Sequence, residues 1–508
     1  MEKKNFTFYQ GKTKRKKRLP LYSFLSSQRF LFFFLVYCLL IQGNSNSEIT
    51  LKVNGNGEER LINQVFESTI LQVKVDGNVI SGCKDTCTVT GSSITVIIEF
   101  STTIRSCEEM FKDRINIVEV DLSSFDTSQV TDMNSMFKNC SILETITFGS
   151  IVTTSVTNME RFCEDCFKLK SIDLSNLDIS NVKKISFIFS GCHDLGTINF
   201  GTRALTLTDM TYAFNHCENL RTIDISHFNT NAVKNMKSIF DNCYLLESIN
   251  FGNFGTSSAE TMYGMFSGCG SLTTLDLSNF DTSKVTNMEW MFNGCKSLTE
   301  LSVGNLDVSS VVNMYMAFNG CTGLNSLDLT NWKFSKLEVM HSTFKDCKNL
   351  KEIKFGTNTT PFLKQTVSTF EGCTLLTSVD LSHFDLSHVI NMNSMFNGCN
   401  ELSDINFGTS STPDLEEMKE MFKNCKKITS IDLSHFDFKK VFNMLETFMD
   451  CSILESVNFG NIIETPSLLY VKGLFHSCNS LPSMDLSLFN FSLVKDMEAI
   501  FLDCHNIN

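Results

Sequence analysis

Residues Leu275 to Cys295 read LDLSNFDTSKVTNMEWMFNGC, and the period of apolar residues changes inside this stretch. Val285, Met288, Met291, Phe292 and Cys295 recur at three- and four-residue spacing, a pattern that predicts two to three turns of helix. Just beyond, Leu298 is followed by Leu301 and Val303, and the alternation of the last two predicts a strand. The unit is thus read as a short strand, a turn and a short helix. Neither element is long enough to bury its apolar face alone, so stacking against further copies must supply the missing partner.

Those copies are present. Fifteen cysteines, from Cys140 through Cys295 to Cys504, recur every 26 residues apart from one interval of 25 and one of 27. Three residues before each stands Phe, except where Cys163 replaces it, and three residues after each stands Leu or Ile. This position absorbs part of an unusual content of 45 phenylalanines. The strands alternate between a Phe-Gly form, as in INFG, and an Asp-Leu-Ser form, as in LDLS. Large Phe beside smaller Leu on successive rungs is expected to interdigitate and fix register. The fold class read from this pattern is an α/β solenoid, a curved, right-handed, leucine-rich-repeat-like coil of about 15 strand-turn-short-helix units.

Leu275 to Cys295, together with the recurrent Phe-x-x-Cys-x-x-Leu-x-x-Ile pattern, resembles the 26-residue repeat of BspA-type leucine-rich-repeat surface proteins. The resemblance covers about residues 107–508. It implies an exported solenoid often involved in adhesion and in host or matrix contact. It implies no catalytic residues and identifies no ligand.

The two ends differ from the lattice. Residues 1–29 carry nine Lys and Arg against Glu2, a local +8 in a chain of −13, so the remainder carries −21. An acidic body repels phosphate backbones and argues against nucleic-acid binding. The apolar run Phe30 to Ile41, FLFFFLVYCLLI, suits a signal-peptide core better than a spanning helix, which needs about 20 residues. Residues 1–47 are accordingly read as a basic leader with a signal peptide or an uncleaved signal anchor. The expected product is secreted or cell-surface, held at a membrane only through that anchor. Sequons at Asn139, Asn358 and Asn490 are compatible with export. Residues 48–106 alternate apolar and polar residues between Gly-containing turns and read as a β-rich N-terminal cap. Within it Cys83 and Cys87 are read either as a bridge or as two thiols. Residues 107–508 are read as the solenoid, whose C-terminal end shows no comparable cap and is either covered by its final helix or open to dock against another chain, as in self-association.

Candidate chemistry is sparse. Successive rungs place equivalent cysteines about 5 Å apart, within disulfide reach. Their apolar setting nevertheless favours reduced, buried thiols. An outward column of aspartates on alternate strands supplies the candidate binding residues Asp173, Asp224, Asp276, Asp328, Asp380 and Asp432, suited to a cationic partner, sugar hydroxyls or Ca²⁺. Asp126, Asp178, Asp281, Asp385 and Asp437 are assigned instead to helix capping or Asx turns. His227, His383 and His435 share a repeat position too widely spaced to grip one ion. No catalytic motif, cofactor site or metal site is assigned. The functional expectation is a non-enzymatic scaffold that binds a protein or glycan through the strand face or edge loops. A self-assembling surface layer is the alternative, and a solenoid glycan-cleaving enzyme the remote one.

Overall fold

The computed structural model describes residues 47–507 apart from 358, 461–463 and 488. The basic leader, the Phe30 to Ile41 run and Asn358 lie outside the described residues. Each rung begins with a short parallel strand: Thr274–Asp276 pairs with Glu300–Ser302, Leu275 opposite Leu301 and Asp276 opposite Ser302. Residues of a strand point alternately to opposite faces. A three-residue strand therefore sends its middle residue inward and its two flanks to solvent, and Ser430–Asp432, with only Ile431 buried, does this.

The expected short helix does not form. Among the described residues the helical content is one 3-10 turn, Gln64–Thr69, before the repeats begin. The destinations of the backbone hydrogen bonds give the reason. The N–H groups of Met288, Trp290, Phe292 and Gly294 donate to carbonyls of the next rung, at Asn313, Tyr315, Ala317 and Asn319. Between them Met291, Asn293 and Cys295 donate three residues back, closing tight turns inside the rung. Trp290 (φ 59°) and Gly294 (φ 72°) occupy the left-handed region that a type II turn demands of its third residue and that an α-helix excludes. Consecutive tight turns bring residues three and four apart to one side, so they reproduce the apolar spacing of a helix without its i−4 bonds.

The repeat number is also corrected. Fourteen repeat strands, from Ile117–Asp121 to Ser456–Asn458, enclose about 13 turns rather than 15. Among the described residues, the segments after Cys478 and Cys504 carry no strand. After Cys478 the cause is Pro482, which lacks the N–H that the equivalent Glu455 donates to the carbonyl of Thr429.

Inside the turns, lattice phenylalanines stack rung upon rung. Phe292 lies between Phe266 (5.9 Å, 5°) and Phe318 (5.1 Å, 24°), and the pattern continues to Phe475 and Phe501 (5.6 Å, 6°). Strand phenylalanines interdigitate edge-on with the next rung, as Phe251 does with Phe280 (5.2 Å, 82°) and Phe407 with Phe436 (5.1 Å, 74°). Both arrangements are favourable aromatic geometries. The lattice cysteines are free thiols, buried except for half-buried Cys504. Each thiol donates across one rung: Cys295 Sγ to the carbonyl of Phe266 (3.2 Å), Cys321 Sγ to that of Phe292 (3.1 Å). Burial pushes the Cys295 thiol up to about 12, so it remains protonated and inert.

At the N-terminal side, the strand Ser47–Arg60 pairs antiparallel with Thr86–Phe100 on one edge and with Ile117–Asp121, the first repeat strand, on the other. The cap sheet thereby covers an edge that would otherwise present unpaired backbone groups. Cys83 and Cys87 are joined by a disulfide.

Candidate functional site: the outward strand face

Two columns of side chains leave each strand toward solvent. The first carries residues such as Ser171, Thr274, Glu300 and Ser326; the second alternates Asp with Asn on most rungs. Asp173, Asp224, Asp276, Asp328, Asp380 and Asp432 are all exposed in that second column. Each carboxylate accepts the backbone N–H two residues on, from Ser175, Ser226, Ser278, Thr330, Ser382 and Ser434, at 2.9 Å in every case. These are Asx turns, which tie the first polar atom of the column to the fold itself. The N–H and hydroxyl of Ser278 hold the Asp276 carboxyl below the usual carboxylate range. The hydroxyl and N–H of Ser175 do the same for Asp173, as those of Thr330 do for Asp328. Asp126, Asp178, Asp281, Asp385 and Asp437 also close Asx turns, accepting N–H groups at 2.9–3.2 Å.

The residue that follows each of these six aspartates one rung on distinguishes one region from the others. Asn458 donates its amide to Asp432 (3.0 Å), and Asn199, Asn250 and Asn406 stand beside Asp173, Asp224 and Asp380 one rung on and help to lower their carboxyl pKa. At Asp276 and Asp328 the next rung instead carries Ser302 and Lys354. On this same stretch the Phe-Gly strand becomes Val303-Gly304, and Trp332 stands where Phe280 stands two rungs earlier. Trp332 is 1% exposed and donates its indole N–H to the carbonyl of Val303 (2.9 Å), filling the volume that the missing Phe vacates.

A shallow depression of about 720 Å³ opens here, lined by Ser278, Glu300, Ser302, Gly304, Asn305, Asp328, Thr330 and Asn331 among others. It shares Gly304, Asn305 and Asn331 with a second, of about 440 Å³, that reaches Asp307, Ser309 and Lys333 in the edge loop. Volumes in this range accommodate small ligands and sugar units. The lining of the first is mainly hydroxyl, amide and carboxylate. Gly304 differs from most glycines of its column, for example Gly201 (φ 74°) and Gly408 (φ 67°), in having no left-handed backbone, and a Cβ built on it meets nothing within 4 Å.

The sequence pattern located the Asp column but missed the depression, although the change from Phe-Gly to Val-Gly in LSVG marked it. His227, His383 and His435 are not brought together; His227 lies edge-on against Phe228 (5.0 Å), and burial lowers its pKa. A further surface row unnoticed in the sequence runs along the turns. Arg161 sits over Phe187 (4.1 Å), Lys237 between Tyr212 (5.5 Å) and Tyr263 (4.4 Å), and Tyr263 stacks on Trp290 (5.9 Å). These half-buried groups pack on one another across adjacent rungs.

Five stretches, 105–202, 208–301, 265–374, 364–462 and 418–508, match one protein family, described as "Mycoplasma protein of unknown function, DUF285". The chain belongs to that family. The matches tile the repeat lattice, and the reading of these repeats as BspA-type leucine-rich-repeat sequence stands. Among solved structures, a leucine rich cell surface protein from Faecalibacterium prausnitzii is similar at 19% identity and TM-score 0.34, over 68% of this chain and 83% of that one. A leucine-rich repeat protein from Eubacterium ventriosum is similar at 16% identity and TM-score 0.32, over 72% of this chain and 91% of the other. The functional domain of InlJ from Listeria monocytogenes, described as including a cysteine ladder, is similar at 16% identity and TM-score 0.19, over 72% and 67%. No curated protein matches the chain. Among the described residues no helix is long and apolar enough to cross a membrane.

Proposed function

We propose that this protein is an exported surface scaffold whose strand face binds a hydroxyl-rich ligand, a glycan or the glycan of a glycoprotein. The depression at Glu300, Ser302, Gly304 and Asp328 carries the reading. There Asp328 lacks the Asn neighbour that Asp173, Asp224, Asp380 and Asp432 have, and it stands with Glu300 beside hydroxyls and amides that both donate and accept. Such a set matches vicinal hydroxyl groups, which need donors and acceptors together. The acidic body disfavours polyanions. The edge-loop depression with Asp307 and Lys333 extends the surface for a ligand longer than one unit. The basic leader and the apolar run after it support export.

The test is a glycan array probed with purified protein and with Gly304→Gln. The variant side chain projects into the depression without backbone strain, so the fold should hold while captured glycans are lost. Undiminished capture by the folded variant would refute the site. Cleavage of captured glycans by the wild-type protein would replace the scaffold with the glycan-cleaving reading.

A further inference from the structure

We propose that His193, His216 and Glu218 form a binding site for a divalent transition metal of the zinc class. This site uses none of the strand-face residues and stands independently of the ligand proposed there. One ring nitrogen from each histidine and one Glu218 oxygen all lie within 4.8 Å of one another. His216 Nδ1 is 3.7 Å from Glu218 Oε1. In a tetrahedral site with metal-ligand bonds of about 2.0–2.2 Å, neighbouring donors stand about 3.4 Å apart. The three side chains are half-buried, so small rotations about their own bonds close that difference.

The repeat lattice explains how the cluster arises. His193 follows Cys192, Glu218 follows Cys217, and His216 precedes Cys217, so two adjacent rungs supply the three groups from two neighbouring columns. The column that holds His193 and Glu218 carries Phe167 on the rung before and Tyr244 on the rung after. Phe167 packs on the His193 ring at 5.1 Å, and Tyr244 feels the Glu218 charge. Phe167 therefore walls the cluster on one side. On the preceding rung, Gly191 occupies the column of His216, and the Asp165 carboxylate lies against it.

A second group orients His216. Asn242, one rung further in the same column, has its amide 3.2 Å from His216 Nε2. Amide orientation is interchangeable, so the Asn242 oxygen can instead accept from a protonated Nε2 while Nδ1 binds the metal. Metal-bound histidines are held in this way by an acceptor on their other nitrogen. Two imidazoles with one carboxylate select zinc-class ions over Ca²⁺ and Mg²⁺, which take oxygen donors. Three protein ligands leave a fourth position for water or a donor from a partner.

Calorimetric titration of the full chain with Zn²⁺, and cobalt spectroscopy of the same protein, test the assignment. One equivalent of Zn²⁺ is expected to bind, with no competition from Ca²⁺ or Mg²⁺. The double variant His193→Gln/His216→Gln should weaken binding by more than about 100-fold, and Asn242→Ala by about tenfold, the effect of losing an orienting partner. Glu218→Gln, a change at a half-exposed side chain, keeps the test valid if the double variant misfolds. It should weaken binding by about tenfold or more. Cobalt should give visible bands without sulfur-to-metal charge transfer. Unchanged affinity in the folded double variant or in Glu218→Gln would overturn the site. Strong sulfur-to-cobalt charge transfer would assign the metal to cysteines and overturn it equally.

Discussion

Replacing Phe292 by Ala tests the packing argument most directly. The ring is 1% exposed and makes two face-to-face contacts, with Phe266 at 5.9 Å and Phe318 at 5.1 Å. Truncation of a buried Phe costs about 3–5 kcal/mol, and each aromatic pair adds about 0.5–1.5 kcal/mol beyond area burial. With both neighbours losing a partner, the upper half of the range, about 4–5 kcal/mol, is expected locally. A repeat array does not unfold as one unit, so a single global stability is the wrong observable. Hydrogen exchange resolved by rung is the right one, because the N–H of Phe292 bonds Ala317 and its carbonyl receives the thiol of Cys321. Protection should fall in the rungs around 266–318 and persist around 137 and 448. Uniform loss across the solenoid would refute nearest-neighbour coupling. A local loss below about 1.5 kcal/mol would refute the claim that stacked Phe rings hold the rungs together.

In the native state thiol-directed alkylation should label half-buried Cys504 before any other lattice cysteine, the remainder reacting only after unfolding; rapid labelling of Cys295 or Cys321 would contradict their burial. Stability should fall as pH rises from about 8.5, where an unfolded thiol ionises, toward about 12 for Cys295, Cys347 and Cys451, since each raised folded pKa gives stability present below the unfolded value and lost above it. Each such thiol contributes a slope of about 1.4 kcal/mol per pH unit, and an alkaline denaturation series without a steep loss would count against it. The combined change Asp276→Asn, Asp328→Asn and Asp380→Asn should leave the fold intact, because Asn199 and Asn406 already accept the same turn N–H, from Gly201 and Gly408, at 3.0 Å. Its binding to a captured ligand should weaken through loss of the carboxylate acceptors, and unchanged affinity in the folded variant would remove this column from the binding surface.

The sequence by itself determined the repeat, its period, the alternation of two strand types and the outward Asp column. A 26-residue lattice leaves a record at every rung, and a two-residue alternation states which side chains face solvent. It could not separate a short helix from a chain of tight turns, since both place Val285, Met288, Phe292 and Cys295 on one side. That choice depended on where the N–H groups of Met288, Trp290 and Phe292 find carbonyls, and those partners lie 25 residues away on the next rung. Glycine and asparagine at positions such as Gly268, Gly294 and Asn242 were the local trace of the left-handed turns. The depression beside Gly304 and the meeting of His193 with His216 and Glu218 were likewise decided by stacking. Each combines side chains from adjacent rungs, and adjacency between rungs exists only once the coil is wound.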